Sequence, residues 1–503
     1  MSWDAIVVGA GHNGLVAAAR LGQAGRRVLL LEALEGPGGL LGAPAAGQGA
    51  GSGGTGPGVR IAAQPTWLNP IVTMGLGLDR YGLGPGVAQP TRAWGPDGPV
   101  TLTAGSALGV APETAAAYAA LHARLRRLAG PLARFMGRTP PPLNGAGAGD
   151  LLALALDGLA LRRLGRADMR ELLRILLSNV WDLLEDSLGD GPLAGALAFD
   201  ATLGGAMGPR SPGTVLPLLY RLAGAPRGAD PEILIGALLK AVAATGGVLR
   251  CGAPVARILV GDNDRAEGVQ LESGEEFRAP LVLSNLHPRR TLTGLLGVAH
   301  LDAEDVRRAR LMATRGMAAR IDLRLATLPE ALPAGTRLVV APRLGAVEAA
   351  FDGAKYGGLP ERPVLEAVLV PGAVPRLAVT ATFVPHAPAG SWTGKSRGTL
   401  ETRVVAALDE ALPGLRSEVT GIETMTPDDI EARYGLPGGH WHHGEFRTDQ
   451  MLMLRPFARV ARYRLPVAGL YLCGAGSHPG GDITGLPGWN AAGQALKDEG
   501  KRR

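Results

Sequence analysis

Residues 4–33 read DAIVVGAGHNGLVAAARLGQAGRRVLLLEA and contain the pattern that decides the fold. The apolar run Ala5–Val8 predicts a short buried strand. Three glycines follow at the spacing G-x-G-x-x-G, and apolar side chains then recur at helical intervals. A second apolar run, Val28–Leu31, predicts another strand that ends directly before Glu32. The stretch therefore predicts a strand–helix–strand unit with a glycine-rich turn before the helix.

Each glycine of this turn has a separate role in a dinucleotide site. Gly9 permits the tight turn, Gly11 lets a pyrophosphate lie against the backbone, and Gly14 lets the helix pack closely on the strand. His12 and Asn13 stand between them at the helix N-terminus, where free N–H groups and the positive dipole end attract a pyrophosphate. These five residues are predicted to bind the diphosphate of a dinucleotide.

Two features after the second strand indicate which dinucleotide this is. Glu32 stands 18 residues after Gly14, where a carboxylate hydrogen-bonds ribose hydroxyls, and this argues against a 2′-phosphate. The doublet Gly38-Gly39 follows soon after the acid. It resembles the second glycine signature of the large FAD family related to glutathione reductase and amine oxidases, although the arginine that usually flanks that doublet is absent. FAD is therefore the predicted cofactor, with an ordinary glycine loop as the alternative reading of the doublet.

A second glycine-rich stretch, GLYLCGAGSHPGGDITGLPGWNAAGQALKD, spans residues 469–498. It predicts a strand that runs into Gly474 and Gly476, which let a backbone pass close to a ligand. Pro487 suits the first turn of the helix that follows. In the FAD family just named, this segment returns to the flavin, and its helix N-terminus points at the flavin N1/C2 carbonyl region.

Two side chains of this second stretch are candidates for catalysis. Flavin itself performs hydride transfer, so the protein mainly has to place a substrate C–H bond against the ring. His478 is predicted to lie near the ring, with a loop hydrogen bond as the alternative. Asp482 is predicted to contact the ribitol or to act on the substrate, and capping of the local turn is its alternative.

The middle of the chain supplies the predicted adenine end of the site. Residues 231–260 predict a helix that starts at a proline, a break at Gly246-Gly247, and a strand. In FAD enzymes of this group a matching segment returns to the adenine, which places the backbone of Val255 at the adenine edge. Simple core packing is the alternative for Val255.

Four stretches together resemble the phytoene desaturase/carotenoid oxidoreductase family. The branch they resemble most is the subgroup of pyridine nucleotide-disulphide oxidoreductase domain-containing proteins, although the chain has no redox-active Cys-x-x-Cys. The resemblance implies an α/β fold with a Rossmann-like FAD-binding domain of the glutathione reductase/amine oxidase type and an inserted mixed-sheet and helical substrate domain. The stretches are GAGHNGLVAAARL near the start, LNPIVTMGLGLDRYGL (68–83), VLSNLHPRRTL (282–292) and LRPFARVARYRLPVAGLYLCGAGSHPGGDITGLPGWNAAG near the end.

The separated cofactor-binding segments imply a discontinuous organisation. The FAD-binding domain is predicted at residues 1–75, 226–295 and 450–503. The substrate domain is predicted at residues 76–225 and 296–449, with the helical pattern of 110–185 as a lid over the substrate cavity. The low-complexity residues 42–58 are predicted to be a flexible excursion.

Composition restricts the remaining choices. The 503 residues carry a net charge of +6 without any block of like charges, so nucleic-acid binding is not predicted. Two cysteines, Cys251 and Cys473, argue against a disulfide framework and favour a cytosolic, reducing environment. The N-terminus shows no signal-peptide pattern, and no apolar run approaches the ~20 residues of a membrane span. The predicted localisation is cytoplasmic, and the basic charge adds peripheral contact with an anionic membrane surface as an expectation.

The cluster GGHWHHGEFRTDQ, residues 438–450, contains three histidines whose spacing does not match a metal-binding pair on a helix. No metal site is predicted. The resemblance implies instead that His443-Gly444 lines the substrate cavity. Arg455 is predicted as an entrance or cofactor contact, with a solvated arginine as the alternative.

The predicted function is that of an FAD-dependent oxidoreductase acting on a long apolar, isoprenoid or carotenoid-like substrate. Desaturation by hydride transfer to flavin is the main hypothesis, and its substrate class depends on the family resemblance. An amine oxidase-like enzyme, a carotenoid isomerase or saturase, and a protein with structural FAD are the alternatives. The sequence leaves the substrate, the electron acceptor, the direction of reaction and the oligomeric state open.

Overall fold

A computed structural model describes residues 2–42, 68–86, 88–142, 147–224, 230–370 and 372–500. Apart from Gly42, the predicted excursion at 42–58 lies outside these ranges. The strands are β1 (Ala5–Val8), β2 (Val28–Leu31), β3 (Thr91–Ala93), β4 (Val100–Thr103), β5 (Ser106–Leu108), β6 (Val248–Arg250), β7 (Val255–Gly261), β8 (Arg265–Leu271), β9 (Glu276–Arg278), β10 (Leu281–Ser284), β11 (Ala318–Leu325), β12 (Arg337–Val340), β13 (Leu365–Val370), β14 (Arg376–Thr382), β15 (Val419–Met425) and β16 (Leu470–Leu472).

Helices cover most of the remaining regular structure in these ranges. They are α1 (His12–Gln23), α2 (Pro70–Leu76), α3 (Pro112–Met136), α4 (Ala148–Arg163), α5 (Gly165–Ile175), α6 (Val180–Leu188), α7 (Pro192–Thr202), α8 (Val215–Ala223), α9 (Pro231–Ala244), α10 (Ala303–Leu311), α11 (Leu344–Lys355), α12 (Gly394–Ala411), α13 (Leu415–Glu418), α14 (Pro427–Tyr434) and α15 (Leu486–Gly500). None of the helices in the described ranges is both long and apolar enough to cross a membrane.

The first sheet is parallel throughout and has the strand order β16-β10-β1-β2-β6. Its strands all come from the segments predicted to form the cofactor domain. Ala5 and Val7 pack into one hydrophobic cluster, which includes side chains of α1 and α15, whereas Ile6 and Val8 pack into another on the opposite face. Both faces are therefore covered, which is why these strands are apolar without alternation. This sheet and its glycine turn form the Rossmann-like unit.

The second sheet has eight strands in the order β15-β11-β14-β13-β12-β3-β4-β5. Its pairs are antiparallel except for β12 with β3, which are parallel, so the sheet is mixed. One face is apolar and packs with side chains of α12, such as Leu400 and Val404. Strands β3, β4 and β5 are short and contain polar residues, so no apolar run marks them in the sequence. The other face of this sheet contributes to the cavity described below.

A third, three-stranded antiparallel sheet (β7-β8-β9) follows helix α9. The turn after β8 is closed by the amide of Gly274, which donates to the carbonyl oxygen of Leu271 at 3.0 Å. Four helices, α3 to α6, occupy most of the region 110–185 that the sequence predicts to be helical. The α/β class with a parallel sheet and a separate mixed sheet is thereby confirmed.

Candidate functional site

The glycine turn between β1 and α1 has the close contacts that its sequence predicts. Gly9 has a φ of +96°, which favours glycine. A Cβ added to Gly14 would lie 2.0 Å from the carbonyl oxygen of Gly9, and one on Gly11 would lie 2.9 Å from Nδ2 of Asn285. No side chain caps the N-terminus of α1. The first-turn N–H groups are therefore left for a ligand.

Glu32 and the glycine doublet lie directly beside this turn. Oε2 of Glu32 accepts a hydrogen bond from the amide of Ala10 at 2.7 Å, and Oε1 accepts one from Leu34 at 3.0 Å. Burial raises the pKa of Glu32, and these backbone hydrogen bonds oppose that effect. Gly38 donates its amide to the carbonyl of Ala10 at 2.9 Å. Glu32 and Gly38 are thus both hydrogen-bonded to the backbone of Ala10 in the glycine turn.

A cavity of about 650 Å³ extends from this turn to the second sheet. Its size lies in the range of small-molecule and cofactor sites. The predicted site residues that line it are Gly9, Gly11, His12, Asn13, Glu32, Gly38, Gly39, Val255 and Asp482. Gly14, Gly474, Gly476, His478 and Pro487 do not line it.

The structure gives Gly474 and Gly476 a different role from ligand contact. A Cβ on Gly474 would lie 2.5 Å from the carbonyl oxygen of Asn285, and one on Gly476 would lie 2.4 Å from Cδ of Pro288. These glycines let the chain after β16 pass against the chain after β10. Pro487 is buried in the first turn of α15, as its sequence position predicts.

His478 lies away from the cavity and is fully buried. Its Nδ1 is 3.0 Å from the carbonyl oxygen of Leu452 and its Nε2 is 3.2 Å from that of Phe135. Burial lowers the pKa of His478 to about 4, although both carbonyls favour the protonated ring. These contacts fit the alternative of a loop hydrogen bond and give His478 no access to a ligand in the cavity.

Asp482 does line the cavity, and its carboxylate is held on two sides. Oδ1 lies 3.0 Å from Nε2 of His442, and Oδ2 lies 3.2 Å from Nε of Arg221. Burial would raise the pKa of Asp482, but the charge of Arg221 and the contacts with His442 outweigh it and lower the pKa well below its usual range. Asp482 is therefore a fixed anion at neutral pH. It is better suited to positioning His442 than to exchanging protons.

Sequence reasoning missed several residues that line the cavity beside the turn: Asn285, Leu286, His287 and Arg290. They follow β10 at the carboxyl end of the parallel sheet, where ligands bind in such folds, and this position was the available signal. Nδ2 of Asn285 donates to the carbonyl of Gly9 at 3.2 Å. His443 also lines the cavity, as the resemblance implied. Burial lowers the pKa of His443 to about 3, so this ring is neutral at pH 7.

Arg455 differs from both of its predicted roles, because it is fully buried and does not line the cavity. Its guanidinium donates to the carbonyl oxygens of five residues at 2.5–3.3 Å: His442, Gly444, Glu445, Gln450 and Ala475. It therefore ties the histidine-containing segment to the chain that follows β16. No three His, Cys, Asp or Glu side chains in the described ranges are grouped as metal ligands.

The open helix N-terminus, the carboxylate and the glycine doublet fit a dinucleotide such as FAD. Together with the parallel sheet, the mixed sheet and the shared cavity, they define an oxidoreductase of the FAD type. A profile of the NAD(P)-binding Rossmann-like domain matches residues 7–70. The crystal structure of cyclohexylamine oxidase from Brevibacterium oxydans has the same fold, with a TM-score of 0.58, 15% identity and 100% of both chains covered.

Two curated relatives match nearly the whole chain. Pyridine nucleotide-disulfide oxidoreductase domain-containing protein 2 of Rattus norvegicus is 29% identical over 99% of this chain and 94% of its own length. The hydroxyneurosporene desaturase of Cereibacter sphaeroides is 31% identical over 99% of this chain and 98% of its own length. The chain belongs to the phytoene desaturase/carotenoid oxidoreductase family and is similar to its pyridine nucleotide-disulfide oxidoreductase domain-containing branch.

Proposed function

We propose that this protein is an FAD-dependent oxidoreductase that desaturates a long apolar, isoprenoid-like substrate. The observation that carries the proposal is the shared cavity, which connects the glycine turn with the substrate sheet. A cofactor at the turn and a substrate at the sheet would therefore meet without crossing solvent. The similarity to a hydroxyneurosporene desaturase supports a substrate of this class.

The chain offers a partner for each part of FAD. The first-turn amides of α1, with Gly11 at the helix N-terminus, would hold the diphosphate. Glu32 would accept hydrogen bonds from the ribose, and Val255 at the start of β7 would lie along the adenine. A flavin held there would supply the hydride acceptor for a substrate C–H bond.

The protein's own contribution to the reaction is to bind the substrate and to exclude water. Apolar side chains line the cavity between the turn and the second sheet, including Leu197, Leu203, Leu218, Leu222, Leu436 and Ile483. They provide a surface for a hydrocarbon chain. Burial lowers the pKa of His287 and of His443, so both neutral rings are poor acceptors for a proton lost by the substrate.

The purified chain loaded with FAD tests this proposal through its visible absorption spectrum. We expect flavin bands near the usual ~450 nm that bleach when a carotenoid and isoprenoid extract is added without oxygen. Stable bands after that addition would contradict desaturation of such substrates. The absence of any flavin band after FAD loading would contradict the cofactor assignment itself.

Amine oxidation is the second candidate function. Its support is the fold shared with cyclohexylamine oxidase and the two carboxylates, Asp200 and Glu366, in the cavity lining. Both carboxylates are already bonded to Arg337, at 2.6 and 2.7 Å. Cyclohexylamine in the same anaerobic assay distinguishes the two functions, because only an amine oxidase would bleach with it.

We also propose that α4 contacts an anionic membrane surface from the cytoplasmic side. Five leucines of this helix are 40–64% exposed: Leu151, Leu152, Leu154, Leu156 and Leu159. Four exposed arginines follow at its end and in α5: Arg162, Arg163, Arg166 and Arg170. Apolar side chains beside basic ones are complementary to a bilayer with acidic headgroups. A long apolar substrate would be drawn from such a surface.

A further inference from the structure

The cavity wall formed by the second sheet is polar, although it is buried. Along β11 the apolar side chains Ile321 and Leu323 face the core with α12. Arg320 lies on the opposite face and lines the cavity. Across the sheet it is paired in register with Thr380, which in turn is paired with Glu366. A row of polar side chains on three adjacent strands thus faces the space assigned to the substrate.

Arg320 has an unused hydrogen-bonding edge. The residue is 1% exposed, and its Nη1 donates to Oγ1 of Thr380 at 3.1 Å. Its Nε and Nη2 have no hydrogen-bond partner, and no carboxylate in the described ranges forms an ion pair with it. Burial lowers the pKa of Arg320, opposed by the more distant charges of Asp322 and Glu366. A buried guanidinium without a direct anionic partner is costly, and this calls for a ligand.

The free edge has the geometry that this chain uses elsewhere for carboxylates. Arg174 holds Glu171 through Nε and Nη2, both at 2.8 Å. Arg307 holds Glu304 through the same two nitrogens, at 2.7 and 2.9 Å. Such a planar fork matches the two oxygens of a carboxylate. Arg320 lines the cavity, and its Nε and Nη2 are the same two nitrogens, without a partner in the described ranges.

The neighbouring acids select the charge of the ligand. Glu366 is bonded to Arg337 at 2.7 Å, and Asp200 is bonded to the same guanidinium at 2.6 Å. These carboxylates are already engaged, so they are not partners for Arg320. The single unpaired guanidinium of Arg320 matches the charge of a monoanion.

We propose that the substrate is amphipathic: a long apolar chain with one carboxylate, which binds the Nε–Nη2 edge of Arg320. This inference rests on the proposed function, because it specifies the substrate of the same cavity. A pure hydrocarbon would leave the guanidinium unpaired and would remove water from it as well. The apolar lining would hold the chain, and the fork would fix which C–H bond is presented to the cofactor.

Calorimetric titration of the FAD-loaded chain with three ten-carbon probes tests the proposal. The probes are decanoate, decanol and decylamine. We expect decanoate to bind at least about 10-fold more tightly than decanol, because a charge-assisted fork is made only with the acid. Equal binding of acid and alcohol, tighter binding of the amine, or no binding of decanoate would each overturn the proposal.

Variants of Arg320 test whether this residue is responsible for the preference for decanoate. Arg320→Gln should remove the preference for decanoate and leave decanol binding unchanged, and Arg320→Lys should retain the charge but lose most of the preference. Arg324→Gln is the matched control on the same face of β11, since Arg324 does not line the cavity. If Arg320→Gln does not fold, two measurements still test whether Arg320 binds the carboxylate. They are the binding of the probes to Arg320→Lys and the comparison of decanoate with decanol on the wild type. A full preference for decanoate in a folded Arg320→Lys variant would contradict the claim that the planar guanidinium edge binds the two carboxylate oxygens.

Flavin absorbance recorded on every sample separates the two proposals. A chain that holds no flavin but still prefers decanoate contradicts the proposed function and leaves the Arg320 site intact. A flavin-loaded chain that binds decanol as tightly as decanoate contradicts the Arg320 site alone.

Discussion

Nε2 of His442 lies 3.0 Å from Oδ1 of Asp482, and this contact joins two segments that line the cavity. Arg221 of α8 reaches the same carboxylate, with Nη2 3.3 Å from Oδ1. The three side chains come from distant parts of the sequence and are all largely buried, with 4–5% of His442 and Arg221 exposed. The contact therefore fixes the position of the histidine segment relative to the glycine-rich stretch.

Replacing Asp482 with Asn should destabilise the protein by about 3–5 kcal/mol, because the charge of Arg221 would remain buried without its partner. The free energy of unfolding in urea measures the effect. Asp449→Asn is the control, since Asp449 forms an exposed pair with Arg447 and its loss should cost about 0–1 kcal/mol. Equal stability of Asp482→Asn and wild type would show that the pair does not hold the segment. The difference between Asp482→Asn and wild type should shrink as the pH falls below about 4, where an unfolded carboxyl takes up a proton.

Acidification should destabilise the fold below about pH 6.5, because several buried histidines have lowered pKa values. For His478 the folded pKa is about 4. The unfolded chain therefore binds a proton that the folded chain does not, and stability falls between these two values by up to about 1.4 kcal/mol per pH unit. Unfolding free energies at pH 7 and pH 5 measure the slope, and His478→Gln should flatten it. His300→Gln, which replaces a histidine at an exposed position, is the control.

Glu32→Gln should weaken FAD binding by about 10-fold or more, because the carboxylate is replaced by an amide that has no charge for the ribose hydroxyls. The ratio of visible to ultraviolet absorbance after gel filtration measures flavin per chain. Glu35→Gln is the control, because Glu35 is exposed and does not line the cavity. Full flavin retention in Glu32→Gln would argue against the assigned ribose contact.

Arg455→Met should cost about 3 kcal/mol or more of stability, because five carbonyl groups would lose a buried donor. Thermal unfolding followed by circular dichroism measures the loss. Arg447→Met tests the effect of removing an exposed arginine from the same segment and should stay close to wild type. A thermal midpoint of Arg455→Met within experimental error of wild type would contradict the structural role.

Leu152→Ser with Leu159→Ser should reduce binding to vesicles of phosphatidylglycerol, because the change removes apolar side chains that would enter the headgroup region. Co-sedimentation measures the bound fraction, and vesicles of phosphatidylcholine should bind less of the wild type. Leu328→Ser changes an exposed leucine outside α4 and serves as the control. Undiminished binding of the double variant would show that α4 is not the part of the protein that contacts the membrane.

Local patterns allowed the glycine turn and its flanking strands to be predicted from sequence. Ala5–Val8 and Val28–Leu31 begin and end as predicted. The apolar runs and the glycine spacing determine these elements with little influence from the rest of the chain. The position of Glu32 directly after the second strand could be predicted for the same reason.

Side chains positioned by long-range packing could not be predicted in this way. His478 follows the expected strand, but the carbonyls of Leu452 and Phe135 turn its ring away from the cavity. The alternation around Arg320 predicts a strand with one polar face, which ordinarily faces solvent. In the structure this face is covered, as the burial of Arg320 and the ion pair between Asp200 of α7 and Arg337 of β12 show.

The first and last helices of the Rossmann-like unit depend on each other during synthesis. The guanidinium of Arg20 in α1 lies 3.8 Å from the ring centre of Trp489 in α15, and the two residues are 469 positions apart. At about 5–20 residues per second, a ribosome needs roughly 25 to 95 seconds between making one and the other. Until then the face of α1 that packs with α15 lacks its partner. The Rossmann-like unit is thus assembled from segments that are synthesised far apart in time.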